Sequence, residues 1–250
     1  MKILGINVHA FTLSGLNEYI TAISRDGGHH IISNVNVHAF NLANGMPWLR
    51  TFFNHQSDKV FCDGHGVMLG ARMLGHRIPE KITYAHWFPL FCDFAADRGL
   101  TIFLLGSKPG ISQLAKDKLC ENRPGLKIVG ALDGYFDKTP GCDENERVIS
   151  QINAVKPNVL LVAFGMPLQE KWLAENWDRI DANVALTGGA AIDYMAGVSK
   201  RPPKWLTATG FEWLGRMLYE PKRLWRRYLL GNPLFIWRVL KQKFGIDKYE

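Results

Sequence analysis

The residue of this sequence best placed for acid–base chemistry is an aspartate between an apolar run and a glycine pair. In Phe61 to Gly75, FCDGHGVMLGARMLG, a short lead-in (Val60, Phe61, Cys62) delivers Asp63 onto Gly64-His65-Gly66, and a helix-like run from Val67 to Leu74 follows at once. An acid at a strand end, beside glycines that let a ligand approach the backbone, suits a general base. Asp before a helical run is also a common N-cap, and the stretch alone leaves both roles open. Asn34 and Asn36, in HHIISNVNVHAFNLANG, stand two apart, so within a strand both point to one face. Their amides could hold sugar hydroxyls or a phosphate oxygen there, with turn and capping chemistry as the alternative.

The elements that position these residues follow from periodicity. Residues 2 to 9, KILGINVH, read as a first strand, and Ser14 to Ser24 has the apolar spacing of a helix. NVHAF occurs at Asn7 to Phe11 and at Asn36 to Phe40, which reads as two similar strand ends. After the Asp63 stretch, HRIPEKITYAHWFPLF reads as a linking segment, and three strand-to-helix switches follow. LTIFLLG ends at Gly106 with a helix from about Ser112; PNVLLVAFG ends at Gly165 with Gln169-Glu170-Lys171 in the first turn of a helix; NVALT ends at Thr187, where Gly188-Gly189 opens another. Continuous apolar strands alternating with amphipathic helices predict an α/β protein with a parallel sheet covered on both faces. Ligands of such sheets bind beyond the carboxyl ends of the strands, where these glycines fall.

None of the glycine loops is a standard nucleotide fingerprint. GSKPG lacks the spacing and the GK[ST] ending of a P-loop, no GxGxxG follows a strand, and there is no DxD pair to hold a metal. Phosphate must then be met by backbone amides, helix N-termini and side chains.

Totals set further bounds. Two hundred and fifty residues, 47% of them apolar, can bury a sizeable core, and no apolar run approaches the ~20 residues a membrane-spanning helix needs. The start MKILGINVHAF lacks the pattern of a signal peptide, so a cytosolic location is expected. Cys62, Cys92, Cys120 and Cys142 lie at wide spacings without a CxxC, signalling neither a zinc site nor a disulfide framework. The net charge of +7 is concentrated: residues 200–250 carry twelve Lys or Arg against four acids, whereas residues 1–199 carry eighteen against nineteen. An acidic partner is implied at that end: a phosphorylated ligand, anionic lipid or nucleic acid.

The boundary is placed at residue 198, with a 1–198 core and a 199–250 appendage. Prolines at 203, 221 and 233 predict three short helices over about 207–219, 221–230 and 233–243. Phe211, Leu214 and Leu218 make an apolar stripe in the first; Leu224, Trp225, Tyr228 and Leu229 make one in the second, with Arg223, Arg226 and Arg227 alongside. Basic amphipathic helices with Trp and Tyr at the boundary suit a membrane surface, the alternative being simple packing on the core. Aromatics on helical stripes beside leucine do not offer the exposed sheet on which bases stack, which argues against nucleic acid.

These residues together resemble the WecG/TagA/CpsF glycosyltransferases, glycosyltransferase family 26. The resemblance covers nearly the whole chain and is carried by NVNVHAFNLA, FCDGHGVMLGARMLG, FLLGSKPG, GLKIVGALDGYF, LLVAFGMPLQEKW and DYMAGVSKRPPKWL with GFEWLGRMLYEPKRLWRRYLL. It implies a Rossmann-like core of the GT-E type with a C-terminal appendage, no cofactor, and inverting, metal-independent transfer of a sugar from a UDP donor. The implied acceptor is a saccharide on undecaprenyl diphosphate at the inner face of the bacterial membrane, in polysaccharide synthesis. The family's proposed base falls on Asp63, its strand-end Thr and Asn on Asn34 and Asn36, and its Gln-Glu pair on Gln169 and Glu170. Its appendage arginines fall on Arg216, Arg223 and Arg226, with Arg227 adjacent; these are expected to meet the carrier diphosphate and lipid headgroups. Gly64, His65, Gly106 and Gly165 complete the expected donor and acceptor site, with loop amides near Gly106 and Gly165, helped by Gln169, facing the leaving UDP. Where many relatives carry T-G-x-D, this chain reads Thr83-Tyr84-Ala85-His86, which makes a plain hexose such as glucose a candidate beside N-acetylmannosamine and its uronic acid. A non-catalytic binder of lipid-linked saccharide is the rival reading, and whether copies form a homo-oligomer is left open.

Overall fold

The computed structural model of the chain describes residues 1–200, 202, 203, 206, 212–247 and 249, and of Arg223 the backbone alone. Residues 2–9 do not form the single strand that their composition suggests. They fold into a small antiparallel hairpin, β1 (Lys2–Ile3) and β2 (Ile6–Asn7), because Leu4 and Gly5 take left-handed φ values of 44° and 78° between them. Asn54 holds the hairpin down, accepting from the Asn7 amide at 2.9 Å and donating to the Gly5 carbonyl at 2.7 Å.

The centre is the expected parallel sheet: β3 (His30–Val35), β4 (Lys59–Cys62), β5 (Thr101–Gly106), β6 (Lys127–Leu132), β7 (Val159–Ala163) and β8 (Val184–Thr187), in the order β4-β3-β8-β7-β5-β6. Every residue of β7 and β8 is buried, as both-face coverage requires of a central strand. On one face lie α2 (Val37–Gly45), α3 (Pro47–Thr51), α4 (His65–Met73), α7 (Asp143–Val155) and α8 (Leu168–Asn176), contributing Phe40, Leu49, Val67, Ile152 and Trp172 to one apolar cluster. On the other lie α1 (Leu13–Ile23), α5 (Tyr84–Asp97), α6 (Ile111–Glu121) and α9 (Ala191–Met195), contributing Leu16, Phe88, Leu119 and Ile192.

Three local readings are corrected. The segment read as a linker contains α5, fourteen residues with Pro89 inside. Trp87, Phe88, Phe91, Cys92 and Ala95 recur at helical spacing and are all buried, and that packing outweighs a missing backbone donor. The second NVHAF copy is a helix start rather than a strand end, since Asn36 is the N-cap of α2. Strand β6, within GLKIVGALDGYF, escaped attention because it lies at a sheet edge and is mostly half-buried.

The C-terminal region forms α10 (Glu212–Tyr219), α11 (Pro221–Trp225) and α12 (Gly231–Lys243); residues 207–211 of the first expected helix, Phe211 included, lie outside the described residues. The break expected at Asn232-Pro233 is absent: α11 runs through a wide π turn, Arg226–Leu230, directly into α12. Regular i to i−4 bonding is already displaced there, so a proline at the junction is accommodated. Helix α12 is built into the core across the expected boundary at 198. Phe235 and Val239 are fully buried in the first cluster, Phe235 lies 5.4 Å from the Phe40 ring, and a Cβ at Gly70 of α4 would meet Phe235 at 2.7 Å. Among the described residues, no helix is long and apolar enough to cross a membrane.

Truncating Phe235 to Ala removes the side chain that seats α12. A loss of about 3–5 kcal/mol in unfolding free energy is expected, measured by denaturant titration.

Candidate active site

Strand order decides where a site can form. Strands β3, β8 and β7 are neighbours, with β4 at the adjoining edge; the helices that follow β3 and β8 lie on opposite faces of the sheet, and the carboxyl ends of these strands open into a cleft of about 1000 Å³. Asp63 follows β4 directly, with its amide bonded to the Val35 carbonyl at 2.8 Å. Its Oδ2 accepts from Asn34 Nδ2 at 3.1 Å. Asn34 is locked in turn, because its Oδ1 accepts from the Thr187 hydroxyl at 3.0 Å and its backbone amide donates back to that hydroxyl at 3.1 Å. Three strand ends are thereby tied to one carboxylate. Of the two roles open to Asp63, capping is not the one it fills: Gly64 is the N-cap of α4, and that helix has no side-chain cap.

Asp63 lines the cleft floor and is only partly exposed. Desolvation there, with the Glu212 carboxylate second, pushes its carboxyl up to about 6, against the lowering influence of Arg216, Arg227 and the Asn34 hydrogen bond. A carboxylate that titrates near neutrality is suited to accept a proton from an alcohol as it reacts. His38 faces the same cleft; burial, and then the nearby Arg227, push its imidazole down to about 4, so it is neutral at pH 7.

The other predicted residues divide into three groups. Asn36, Gly64, His65, Gly165, Arg216 and Arg227 line the cleft or the smaller pocket that shares Asp63 with it. Asn36 nevertheless spends its Oδ1 on α2, accepting from the Ala39 amide at 3.1 Å, and it follows β3 instead of sharing a strand face with Asn34. Arg216 lies over the Tyr194 ring at 5.6 Å and Arg227 over the Tyr228 ring at 5.6 Å, so these two look into the cleft. Gln169 and Glu170 are fully buried and have no surface on the cleft. Gln169 is a brace: its Oε1 accepts from the Gly165 amide at 3.3 Å and the Gly189 amide at 2.9 Å, joining two loops, while its Nε2 donates to Glu170 at 2.8 Å. Burial pushes the Glu170 carboxyl up to about 7, opposed by that hydrogen bond. Gly106 is set back from the cleft, where a Cβ would meet the Ala163 carbonyl at 2.5 Å. Arg226 is exposed beside Trp225 and off the cleft, and the Arg223 side chain lies outside the described residues.

One expectation changes. The Gly165 and Gly189 amides are engaged by Gln169, the Ser107 amide by Ala163 and the Gly188 amide by Val162, so these loop amides are not directed at a ligand. Positive charge enters the cleft on side chains instead: Lys108, Lys138, Arg216 and Arg227. Lys138 donates to the Phe136 carbonyl at 3.1 Å and sits 4.2 Å and 4.6 Å from the Phe136 and Phe164 rings. Lys108 stands in the GSKPG loop, next to Ser107, whose hydroxyl donates to Asp193. Sequence reading singled out that loop for its glycines and passed over its lysine. Lys138 and Glu212 carried no local signal and Thr187 only that of a strand end, since their importance lies in which strand or helix ends meet. Of the Thr83–His86 segment, Thr83, Tyr84 and Ala85 line the cleft, and His86 is exposed away from it.

Comparison with known proteins agrees with this arrangement. The family model described as glycosyl transferase WecG/TagA/CpsF family matches residues 1–249. The chain is 29% identical over 196 residues to an N-acetylglucosaminyldiphosphoundecaprenol N-acetyl-beta-D-mannosaminyltransferase of Bacillus subtilis (strain 168), covering 78% of this chain and 73% of the relative. It is 26% identical over 194 residues, with the same coverages, to a protein of the same name from Staphylococcus aureus (strain MRSA252).

The raised Asp63 carboxyl has a measurable consequence for stability. Its folded value of about 6 exceeds the usual unfolded value of ~3.9, so the folded state binds the extra proton between those limits and loses stability as pH rises through them. Asp63→Asn should therefore unfold at higher denaturant than the parent at pH 7.5, by about 1–3 kcal/mol, with the difference closing near pH 4. A variant less stable than the parent at both pH values would contradict a strained, desolvated carboxylate.

Proposed function

The chain belongs to the WecG/TagA/CpsF family of glycosyl transferases, and on that premise we propose that it moves a hexosyl or N-acetylhexosaminyl unit from a UDP-sugar to an undecaprenyl-diphosphate-linked saccharide. The donor class comprises UDP-glucose, UDP-N-acetylmannosamine and its uronic acid, and the acceptor chemistry follows the names of the relatives. The observation that carries the reading is the Asp63 carboxylate, held by Asn34 at the strand ends, in a cleft that Lys108, Lys138, Arg216 and Arg227 also line.

The reaction is a single displacement. The acceptor hydroxyl attacks the anomeric carbon while Asp63 takes its proton, the bond from that carbon to the UDP oxygen breaks, and UDP leaves with the electron pair. No enzyme-bound intermediate forms, so the configuration inverts. Two diphosphates have to be accommodated, one on each substrate, and cationic side chains on both walls of the cleft supply charge for them without a metal. Arginine's planar fork suits phosphate, and a partly desolvated site strengthens each such contact. The wall formed by α10 and α11 acts as part of the active site, and its outer surface is the membrane-associating part of the appendage. Trp225 of α11, Leu229 and Leu230 of the π turn, and Leu234 and Trp237 of α12 are exposed, and so is Arg226 next to Trp225. Apolar and aromatic side chains flanked by bases suit the headgroup region of an anionic leaflet at the inner face of the cytoplasmic membrane.

Release of UDP from a panel of UDP-sugars, in EDTA and with a short-chain polyprenyl-diphosphate saccharide, should occur for one donor and depend on acceptor. Asp63→Asn should lower kcat by ~10²- to 10⁴-fold with UDP affinity nearly unchanged, and the parent's kcat/KM should fall as pH drops below about 6. An active Asp63→Asn enzyme would remove Asp63 from the role of base. For the membrane arm, replacing Trp225 and Trp237 with Glu should abolish sedimentation with anionic vesicles and leave turnover of a water-soluble acceptor intact. Arg227→Glu should instead depress turnover; the reverse pattern would exchange the two assignments.

A further inference from the structure

Tyr84 poses a question that the proposed chemistry leaves unused. It opens α5, is only 5% exposed, and lines the cleft. Its ring is wedged edge-on against Trp87 at 5.2 Å, with Phe61 at 5.9 Å and Phe88 at 6.4 Å, so the phenol has one direction in which to point. The hydroxyl at its tip is buried and has no hydrogen-bond partner among the described residues. A buried tyrosine hydroxyl usually finds one, because leaving it unpaired forfeits its hydration with nothing in return. Asp63 stands on the neighbouring backbone: Ile82, two residues earlier, pairs in parallel with Asp63, and of the charges that raise the phenol the Asp63 carboxylate acts ahead of Glu170, after burial itself. Glu170 also carries an unpartnered oxygen, but it has no surface on the cleft.

We infer that Tyr84 is a specificity-determining residue whose hydroxyl pairs with the substituent on C-2 of the transferred sugar. The inference rests on the reading of Asp63 as the base. If Asp63 takes the proton of the attacking hydroxyl, the sugar carbon under attack lies next to it. The leaving oxygen departs on the face opposite the base, so the sugar atoms then closest to Tyr84 are the ring oxygen, bonded to that carbon, and the C-2 substituent, two bonds from it. Only the latter offers a hydroxyl or an acylamino group able to both accept and donate. The phenol gains the partner that the protein does not give it, and a sugar without a polar group at C-2 leaves it unpaired. Sites built this way discriminate strongly, because rejection is enforced by a stranded buried polar group as well as by a lost contact.

The test compares two donors on two proteins. For the parent, kcat/KM with the preferred UDP-sugar should exceed that with its 2-deoxy analogue by ~100-fold or more. Tyr84→Phe keeps the ring and its packing, and the ratio should fall to within ~5-fold, chiefly through loss with the natural donor. Tyr84→Phe that lowers both donors equally, or changes neither, would overturn the inference, since a packing role cannot read C-2. The melting temperature of Tyr84→Phe, expected within a few degrees of the parent, guards against misfolding. Parent protein that neither binds nor turns over any donor would instead overturn the donor reading, and this inference with it.

Discussion

The structure depends on a short polar chain across the carboxyl edge of the sheet, from the Thr187 hydroxyl to the Asn34 amide to the Asp63 carboxylate. Each link is buried or nearly so, which makes it strong in a low dielectric and demanding in geometry. Strands β8, β3 and β4 must end in register for the three side chains to meet, and the parallel pairing of His30–Ile32 with Val184–Leu186 and of Ile32–Val35 with Lys59–Cys62 provides that register. The apolar faces above and below the sheet therefore stabilise the fold and also fix the position of one proton acceptor.

Around that acceptor, charge is arranged in opposition. Glu212 and desolvation disfavour the ionised form of Asp63, whereas Arg216, Arg227 and Asn34 favour it. The balance leaves the carboxyl near 6, ionised at neutral pH yet basic enough to share a proton. Glu212, Arg216 and Arg227 all come from the C-terminal helices. The core supplies the acid and the appendage supplies most of the field that tunes it, so the cleft is complete only when Phe235 seats α12 against α2 and α4.

Much of this was legible in the sequence, in a patterned way. Asp63, Gly64 and His65 were found because a strand end, a glycine and a helix start are local signals. The parallel sheet was found because β5, β7 and β8 are unbroken apolar runs. Helix α5 was not found, since Pro89 is a strong local signal for a break and the burial of Trp87, Phe88 and Phe91 that overrides it is tertiary. Gln169 and Glu170 were located correctly in the first turn of α8, but their burial places them behind the cleft. The Gln169 brace between Gly165 and Gly189 spans twenty residues, and no sequence period announces it. Likewise, glycine loops suggested backbone amides for phosphate. The amides at Ser107, Gly165, Gly188 and Gly189 are engaged in shaping the loops, and the positive charge that lines the cleft comes from lysines and arginines.

Arg226 and Arg227 lie where the cleft meets the outer surface of the C-terminal helices. They are consecutive in a π turn, yet Arg227 lines the cleft beside His38 and Arg226 is exposed next to Trp225. Adjacent residues on a helical turn point in well-separated directions around the axis, so one segment can present a cation to each side. In the proposed reaction, a substrate whose sugar reaches Asp63 while its lipid stays in a bilayer would use such a segment, with one face turned to the diphosphate and the other to the headgroups. The widened turn sets that angle, and it lies where α11 passes into the helix anchored by Phe235. The packing that holds α12 in the core therefore also fixes how far Asp63 stands from the surface bearing Trp225 and Trp237.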